Sequence, residues 1–129
     1  MNWYLKVIKE NFANFEGRAR RKEYWMFTLF SGLIVLGLAI LAGIFVAMEI
    51  SSLAFVFMGC YMVYILIVLV PSLAVTVRRL HDTGKSGWML LIALVPLIGS
   101  IWLFVLYVTE GDQGDNQYGP DPKSLPDPV

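Results

Sequence analysis

The sequence predicts an all-α membrane protein with an N-terminal interfacial amphipathic helix, three transmembrane helices and an irregular C-terminal tail. Composition is the first reason: of 129 residues 57% are apolar and only 16% charged, with a mean hydropathy of +0.65, which excludes an ordinary soluble enzyme domain. Charge distribution is the second. Apart from Glu49, the ionised groups gather at the two ends and in one short loop, leaving uncharged runs at 24–48, 50–77 and 88–109. Thirdly, the runs show no period-two alternation, and amides surrounded by lipid need internal partners, so helices rather than strands are expected.

Residues 1–23 form the first segment. Trp3, Tyr4, Val7, Ile8, Phe12 and Phe15 follow helical spacing, with Lys6, Lys9 and Glu10 opposite. The stretch is too short to span and suits a helix lying in the headgroup plane, ending near Phe12 because Asn11 and Asn14 intrude on its apolar arc. The same face could instead pack on the protein's own spans. A basic cluster, Arg18, Arg20, Arg21 and Lys22, then runs directly into Tyr24 and Trp25, aromatic residues suited to the membrane interface. Glu23, a carboxylate among these cations, is expected to serve as a structural polar partner rather than face lipid.

Residues 24–109 form the predicted three-helix transmembrane domain. Each apolar run exceeds the roughly 20 residues needed to cross a hydrocarbon core. The first is read as a retained span, since it is longer than a signal h-region and follows a mostly polar segment. Glu49 breaks the first two runs at a turn where Ser51 or Ser52 is expected to cap the next helix. Ala39, Gly43 and Ala47 recur every four residues, inviting close approach by the second span or by another copy of the chain. Pro71 and Pro96 flank the basic loop at similar helical distances. They are expected to kink two helices and floor a shallow vestibule rimmed by Arg78, Arg79 and His81, ordinary packing kinks being the plainer alternative.

Loop 78–87 holds the densest polar cluster between spans. His81 beside Asp82 suggests an imidazole oriented by a carboxylate, but neighbours on a helix point about 100° apart, so adjacency alone implies no relay. Gly84-Lys85-Ser86 imitates the end of a phosphate loop, yet Arg79 stands where that pattern demands glycine. With a single histidine and a single cysteine, Cys60, neither a usual zinc site nor an intrachain disulfide is expected. In the tail, Asp112, Asp115 and Asn116 hint at a calcium loop that fails at Gly114. No catalytic residue, metal or cofactor is assigned.

The tail, 110–129, is rich in proline, glycine and acids and is expected to be flexible and irregular. Orientation follows from the cations. Lys6, Lys9, Arg18, Arg20, Arg21 and Lys22 precede the first span, none lies at the Glu49 turn, Arg78, Arg79 and Lys85 lie in the loop, and Lys123 lies in the tail. With three spans, the N-terminus and the loop are expected in the cytoplasm and the tail outside, in the periplasm.

Two strings and a tail motif carry a resemblance. Phe15-x-Gly17-Arg18-Ala19-Arg20-Arg21-Lys22-Glu23-Tyr24-Trp25 is followed by Pro71-x-Leu73-Ala74-Val75 and then by Arg78-Arg79-Leu80-His81-Asp82-x-Gly84-x-Ser86-Gly87-Trp88. Further on come Pro96-Leu97-Ile98-Gly99 and a tail reading Gly111-Asp112-x-Gly114-Asp115-Asn116-x-Tyr118-Gly119-Pro120. Together these resemble the DUF805 family of small bacterial inner-membrane proteins over nearly the whole chain. The resemblance implies a multi-pass bacterial plasma-membrane protein and carries over no catalytic residue, the family's function being unknown. A tail bearing Asn116-x-Tyr118-Gly119 looks built to dock. If it docks on loop 78–87, the last apolar run must be re-entrant or a fourth crossing must exist.

The expected function is that of a non-enzymatic membrane protein whose basic surface, Arg18, Arg20, Arg21, Arg78, Arg79 and His81, engages anionic lipid or an acidic partner, with Glu23 and Asp82 bridging the arginines. Membrane lipids are the expected partners, with a homo-oligomer through Ala39, Gly43 and Ala47 and no nucleic acid. The alternatives are an oligomeric small-solute transporter or channel, disfavoured because no ionisable residue lies inside any run, and a lipid-acting enzyme using His81 and Asp82.

Overall fold

In the computed structural model, residues 2–128 are described; Met1 and Val129, the outer ends of the first and last predicted segments, lie outside them. The elements are α1 (Asn2–Glu10), α2 (Arg21–Ala47), α3 (Ser51–Asp82), a 3₁₀-helical arm η1 (Gly87–Leu94), α4 (Ile98–Val108) and a short 3₁₀ turn η2 (Pro122–Ser124). Among the described residues there is no strand, as the amide argument requires, and only an isolated bridge joins Asn116 to Gly119.

Helices α2 and α3 form a long antiparallel hairpin and, among the described residues, are the two elements long and apolar enough to cross a membrane. From Thr28 to Ala47 on α2 and from Ser51 to Val70 on α3 most side chains are exposed, among them Leu33, Ile40, Phe55 and Leu66. In water each would forgo roughly 1.5–3 kcal/mol of burial; hydrocarbon removes that cost.

The turn between the two helices is closed by backbone rather than by serine. Glu49 adopts φ 59°, the Glu49 amide donates to the Val46 carbonyl at 3.1 Å, and the Ile50 amide donates to the Phe45 carbonyl at 3.0 Å. This is a Schellman closure with glutamate where glycine is usual. The residue preceding α3 is Ile50, without a side-chain cap, so the expected serine cap is not formed: the left-handed turn already sets the geometry of helix entry. Ala42 and Ala54 are the buried small residues near this end, and Phe45 stacks on Phe57. Ala39, Gly43 and Ala47 stay exposed, and a Cβ on Gly43 would meet nothing within 4 Å. The close approach expected of that stripe is therefore not made within the chain.

Helix α1 ends at Glu10 and packs its apolar face on the chain's own hairpin. Trp3 and Val7 are buried, Tyr4 stacks on Phe27, and its hydroxyl meets that of Tyr64 at 2.9 Å. Burial, followed by the Tyr64 contact, raises the Tyr4 phenol above its ordinary range. Phe12 and Phe15, predicted on the same face, lie beyond the helix and are exposed.

The third predicted span is not one continuous helix. Residues 88–109 fold as two short arms, η1 and α4, joined at Val95-Pro96-Leu97. At about 1.5 Å per residue the 11-residue α4 is about 16 Å long, about half a hydrocarbon core. The local chemistry explains the break. Pro96 restrains Val95 and offers no amide, Leu97 adopts φ 64°, and Gly99 lets the arms touch, since a Cβ there would lie 1.7 Å from the Ile92 carbonyl oxygen. Pro96 thus shapes a turn and is not a helix kink, whereas Pro71 is buried inside α3, which continues through it to Asp82. Among the described residues there is accordingly no pair of helix kinks to floor the expected vestibule. The arms return the chain to the end at which it left α3, so the tail begins beside the N-terminal segment.

Candidate functional site

At that end the last turn of α3, residues 11–20 and the tail are tied into a buried knot of three guanidinium groups and two carboxylates. Arg18, Arg78, Arg79, Glu23 and Asp82 are all buried, Arg79 being 0% exposed. Charges leave water only when paired and hydrogen-bonded, and here nearly every donor is accounted for.

Arg78 donates through Nη1 to Glu23 Oε1 at 2.6 Å and through Nε to the Asn14 carbonyl at 3.1 Å, tying α3 to the start of α2. Its Nη2 is the one guanidinium nitrogen of the knot that is buried with no partner among the described residues. Arg79 sits three residues before Asp82 on the helix and donates to its Oδ2 at 2.5 Å. The rest of the Arg79 fork reaches the carbonyls of Ala19, Tyr107 and Thr109. Arg21 donates to the Val108 carbonyl at 3.2 Å and the Trp25 indole to that of Tyr107 at 3.3 Å. The carbonyls that end α4, which have no intrahelical partner, are thus capped by cations and an indole, where the helix dipole also favours positive charge.

Arg18 gathers the tail. Its Nε donates to Asp82 Oδ1 at 3.0 Å, its Nη2 to the Asp112 carbonyl at 2.5 Å, and its Nη1 to the Gly114 carbonyl at 2.6 Å, with Gly119 further off at 3.4 Å. Glycines make the approach feasible. A Cβ on Gly111 would lie 1.9 Å from Asp82 Oδ2, and one on Gly84, at φ 75°, would lie 2.7 Å from Asp112 Oδ2.

His81 is a tail clamp. Its Nδ1 donates to the Gly17 carbonyl at 2.9 Å, because a carbonyl offers no proton. The imidazole stacks on Tyr118 with centroids 3.9 Å apart and planes 2° from parallel, while Asn116 Nδ2 donates to the His81 carbonyl at 2.9 Å. Both Asp82 oxygens serve arginines, so no His81–Asp82 relay exists.

Beside the knot, the Trp3 ring is collared by cations: Lys6 Nζ at 5.3 Å, Arg20 Cζ at 5.6 Å and Lys22 Nζ at 5.8 Å. Asp127 pairs with Arg20 at 3.3 Å and with Lys22 at 3.7 Å. A groove of about 580 Å³ runs between α1 and the end of the tail, lined in part by Lys6, Lys9 and Asp127. A second, of about 370 Å³, is lined by Phe15, Val77, His81, Ser86, Gly87 and Trp88.

The structure brings Arg18, Glu23, Arg78, Arg79, His81 and Asp82 to one place, with Glu23 and Asp82 bridging the arginines. It turns Arg18, Arg78 and Arg79 inward instead of leaving them on a basic surface. Arg20 and Arg21 stay nearer the outside. The tail packs on Arg18, His81 and Arg20, at the end of the hairpin where α2 begins and α3 ends. Sequence reasoning missed Gly99, Gly111, Asp112 and the Tyr107–Thr109 carbonyls. The only sign of them was the placement of two glycines beside turn residues in the Pro96-Leu97-Ile98-Gly99 and Gly111-Asp112 strings.

An apolar helical hairpin with a short returning pair of arms and an arginine knot at one end defines a small helical membrane protein. Residues 12–120 match the family described as "Protein of unknown function (DUF805)", and the chain belongs to that family. It is 44% identical over 123 residues to inner membrane protein YhaI of Escherichia coli (strain K12), covering 95% of this chain and 97% of the relative. It is 40% identical over 126 residues to inner membrane protein YhaH of the same organism, covering 98% and 100%, and 30% identical over 146 residues to its uncharacterized protein YiiR, covering 92% of each. No solved structure matches. The chain is accordingly a bacterial inner-membrane protein of unknown biochemical role.

Proposed function

We propose that this protein is a non-enzymatic, lipid-engaging membrane protein whose cytoplasmic face binds anionic headgroups through the collar around Trp3, while the buried arginines hold the fold together. The observation that carries the reading is the convergence of Lys6, Arg20 and Lys22 on one buried indole, close to where α2 passes from packed to exposed side chains. Asp127, seated on two of these cations, marks the place as one that accepts an anionic oxygen. Orientation follows from the folded tail. All ten lysines and arginines now lie at the knot end of the hairpin and none at the Glu49 turn, which supports a cytoplasmic knot by the positive-inside rule. The η1–α4 arms then enter the cytoplasmic leaflet and return, their exposed Leu94, Leu97 and Ile98 covered by hydrocarbon.

The reading is tested by adding phosphatidylglycerol or phosphatidylcholine to the purified protein in detergent and following thermal unfolding. Phosphatidylglycerol is expected to raise Tm, less so at high salt, and Lys6→Gln, Arg20→Gln and Lys22→Gln combined are expected to abolish the difference while Lys85→Gln preserves it. Equal stabilisation by the two lipids would overturn it. The lipid-acting enzyme alternative has less support, because Asp82 and the Nδ1 of His81 are both committed to structural contacts.

A further inference from the structure

The two leaflets meet different amounts of this protein. From the middle of the hairpin to the Glu49 turn, α2 and α3 are the only elements among the described residues. Towards the knot, η1 and α4 join them, and α1 lies against their flank at the level of Phe27 and Tyr64. η1 starts against α3, where Gly87 sits so close to Val77 that a Cβ would come within 2.8 Å of its side chain, and η1 packs on that helix. η1, eight residues at about 2.0 Å each, and α4 both reach about 16 Å, the depth of one leaflet's hydrocarbon. Their tip is apolar and open, with Leu94 79%, Leu97 74% and Ile98 68% exposed.

This insertion is also stiff. Gly99 seats α4 directly on the backbone of η1, and Arg79, Arg21 and Trp25 hold the base of α4 through its last carbonyls. A loose loop would accommodate itself to the lipid; a clamped pair of arms displaces it. With a helix about 10 Å across, each arm adds about 80 Å² to one leaflet only.

We infer that the protein is a leaflet-selective wedge that expands the membrane on its knot side and concentrates where that side is convex. The inference rests on the half-inserted reading of the arms, and the test separates the two. Fluorescently labelled full-length protein is reconstituted knot-outward in giant vesicles of phosphatidylcholine and phosphatidylglycerol, orientation being checked by protease cleavage of the tail, and a narrow tube is drawn from the vesicle. Density on the tube is expected to exceed that on the vesicle by about twofold or more, and to fall below it when the knot faces inward. Equal densities in both orientations would overturn the inference.

In parallel, a probe at the arm tip, Val95→Cys in a Cys60→Ser background, is challenged with nitroxide lipids labelled at graded depths. Quenching strongest near the bilayer centre supports insertion. If that holds and sorting fails, the wedge is wrong while the insertion stands; if only shallow labels quench, both fall. Leu94→Lys with Leu97→Lys, retaining the wild-type unfolding temperature as evidence of an intact knot, is expected to abolish sorting, and sorting that survives would refute the wedge.

Discussion

Asp82 holds Arg18 through Oδ1 at 3.0 Å and Arg79 through Oδ2 at 2.5 Å, so one buried carboxylate joins the N-terminal segment to the last turn of α3. Asp82→Asn keeps the shape and removes the charge, leaving two buried guanidinium groups against a neutral amide. A loss of about 3–5 kcal/mol is expected, seen as a large fall in unfolding temperature in detergent. Breaking the exposed Lys123–Glu110 pair by Glu110→Gln should leave that temperature unchanged.

Glycines at contacts and glycines in open helix make a paired prediction. Gly99→Ala forces the two arms apart and should cost about 1–3 kcal/mol or more, as overpacking against rigid backbone does. Gly37→Ala on α2, where a Cβ meets nothing within 4 Å, should be neutral or slightly stabilising. Thermal unfolding of both variants in one detergent checks the contrast.

Glu49 holds a left-handed backbone conformation that favours glycine. Glu49→Gly is expected to raise stability by about 1 kcal/mol, provided the Schellman bonds persist. A lower unfolding temperature would show that the carboxylate has a task at this turn.

The tail should be reached from the same face as α1. In a Cys60→Ser background, cysteines at Asn2 and at Ser124 are expected to react alike with an impermeant maleimide, protected in intact cells and labelled in inverted vesicles. Opposite behaviour would restore a full third crossing.

Acid should loosen the tail. Asp121 accepts the amides of Lys123 and Gly114, which lowers its carboxyl below the ordinary value, Arg18 and Lys123 adding small favourable charges. A group with a depressed folded-state pKa contributes stability above its unfolded value and loses it as pH falls through the folded one. The protection factor of the Gly114 amide, the intrinsic over the observed exchange rate at each pH, is therefore expected to fall only below the ordinary carboxylate range, and Asp121→Asn should lower it already at neutral pH.

Periodicity and charge were enough to read α1, α2 and α3, because burial in lipid demands long uncharged runs and Trp3, Tyr4 and Val7 sit at helical spacing. They were not enough for residues 88–109. Hydropathy measures whether a run can enter hydrocarbon, not whether it continues across, and here that depended on Pro96, a strained Leu97 and one glycine contact. Arg18, Glu23, Arg78, Arg79, His81 and Asp82 could be picked out because they belong to the two polar clusters that border the apolar runs. Their inward orientation could not be, because it depends on carbonyls of Ala19, Tyr107, Thr109 and Asp112, which any residue type supplies.

The bonds of Arg18 also impose an order on biogenesis. Its acceptors lie 64 residues downstream at Asp82 and 96 downstream at Gly114. During translation the α2–α3 hairpin is therefore complete long before the ribosome has made the strands of chain that Arg18 awaits, and contacts so distant in sequence form late. Asp82, the last residue of α3, is at hand once the hairpin is made, so it is the Asp112 and Gly114 carbonyls that complete the Arg18 shell last: a product stopped ahead of Asp112 is expected to keep both greasy helices while leaving that guanidinium only partly satisfied.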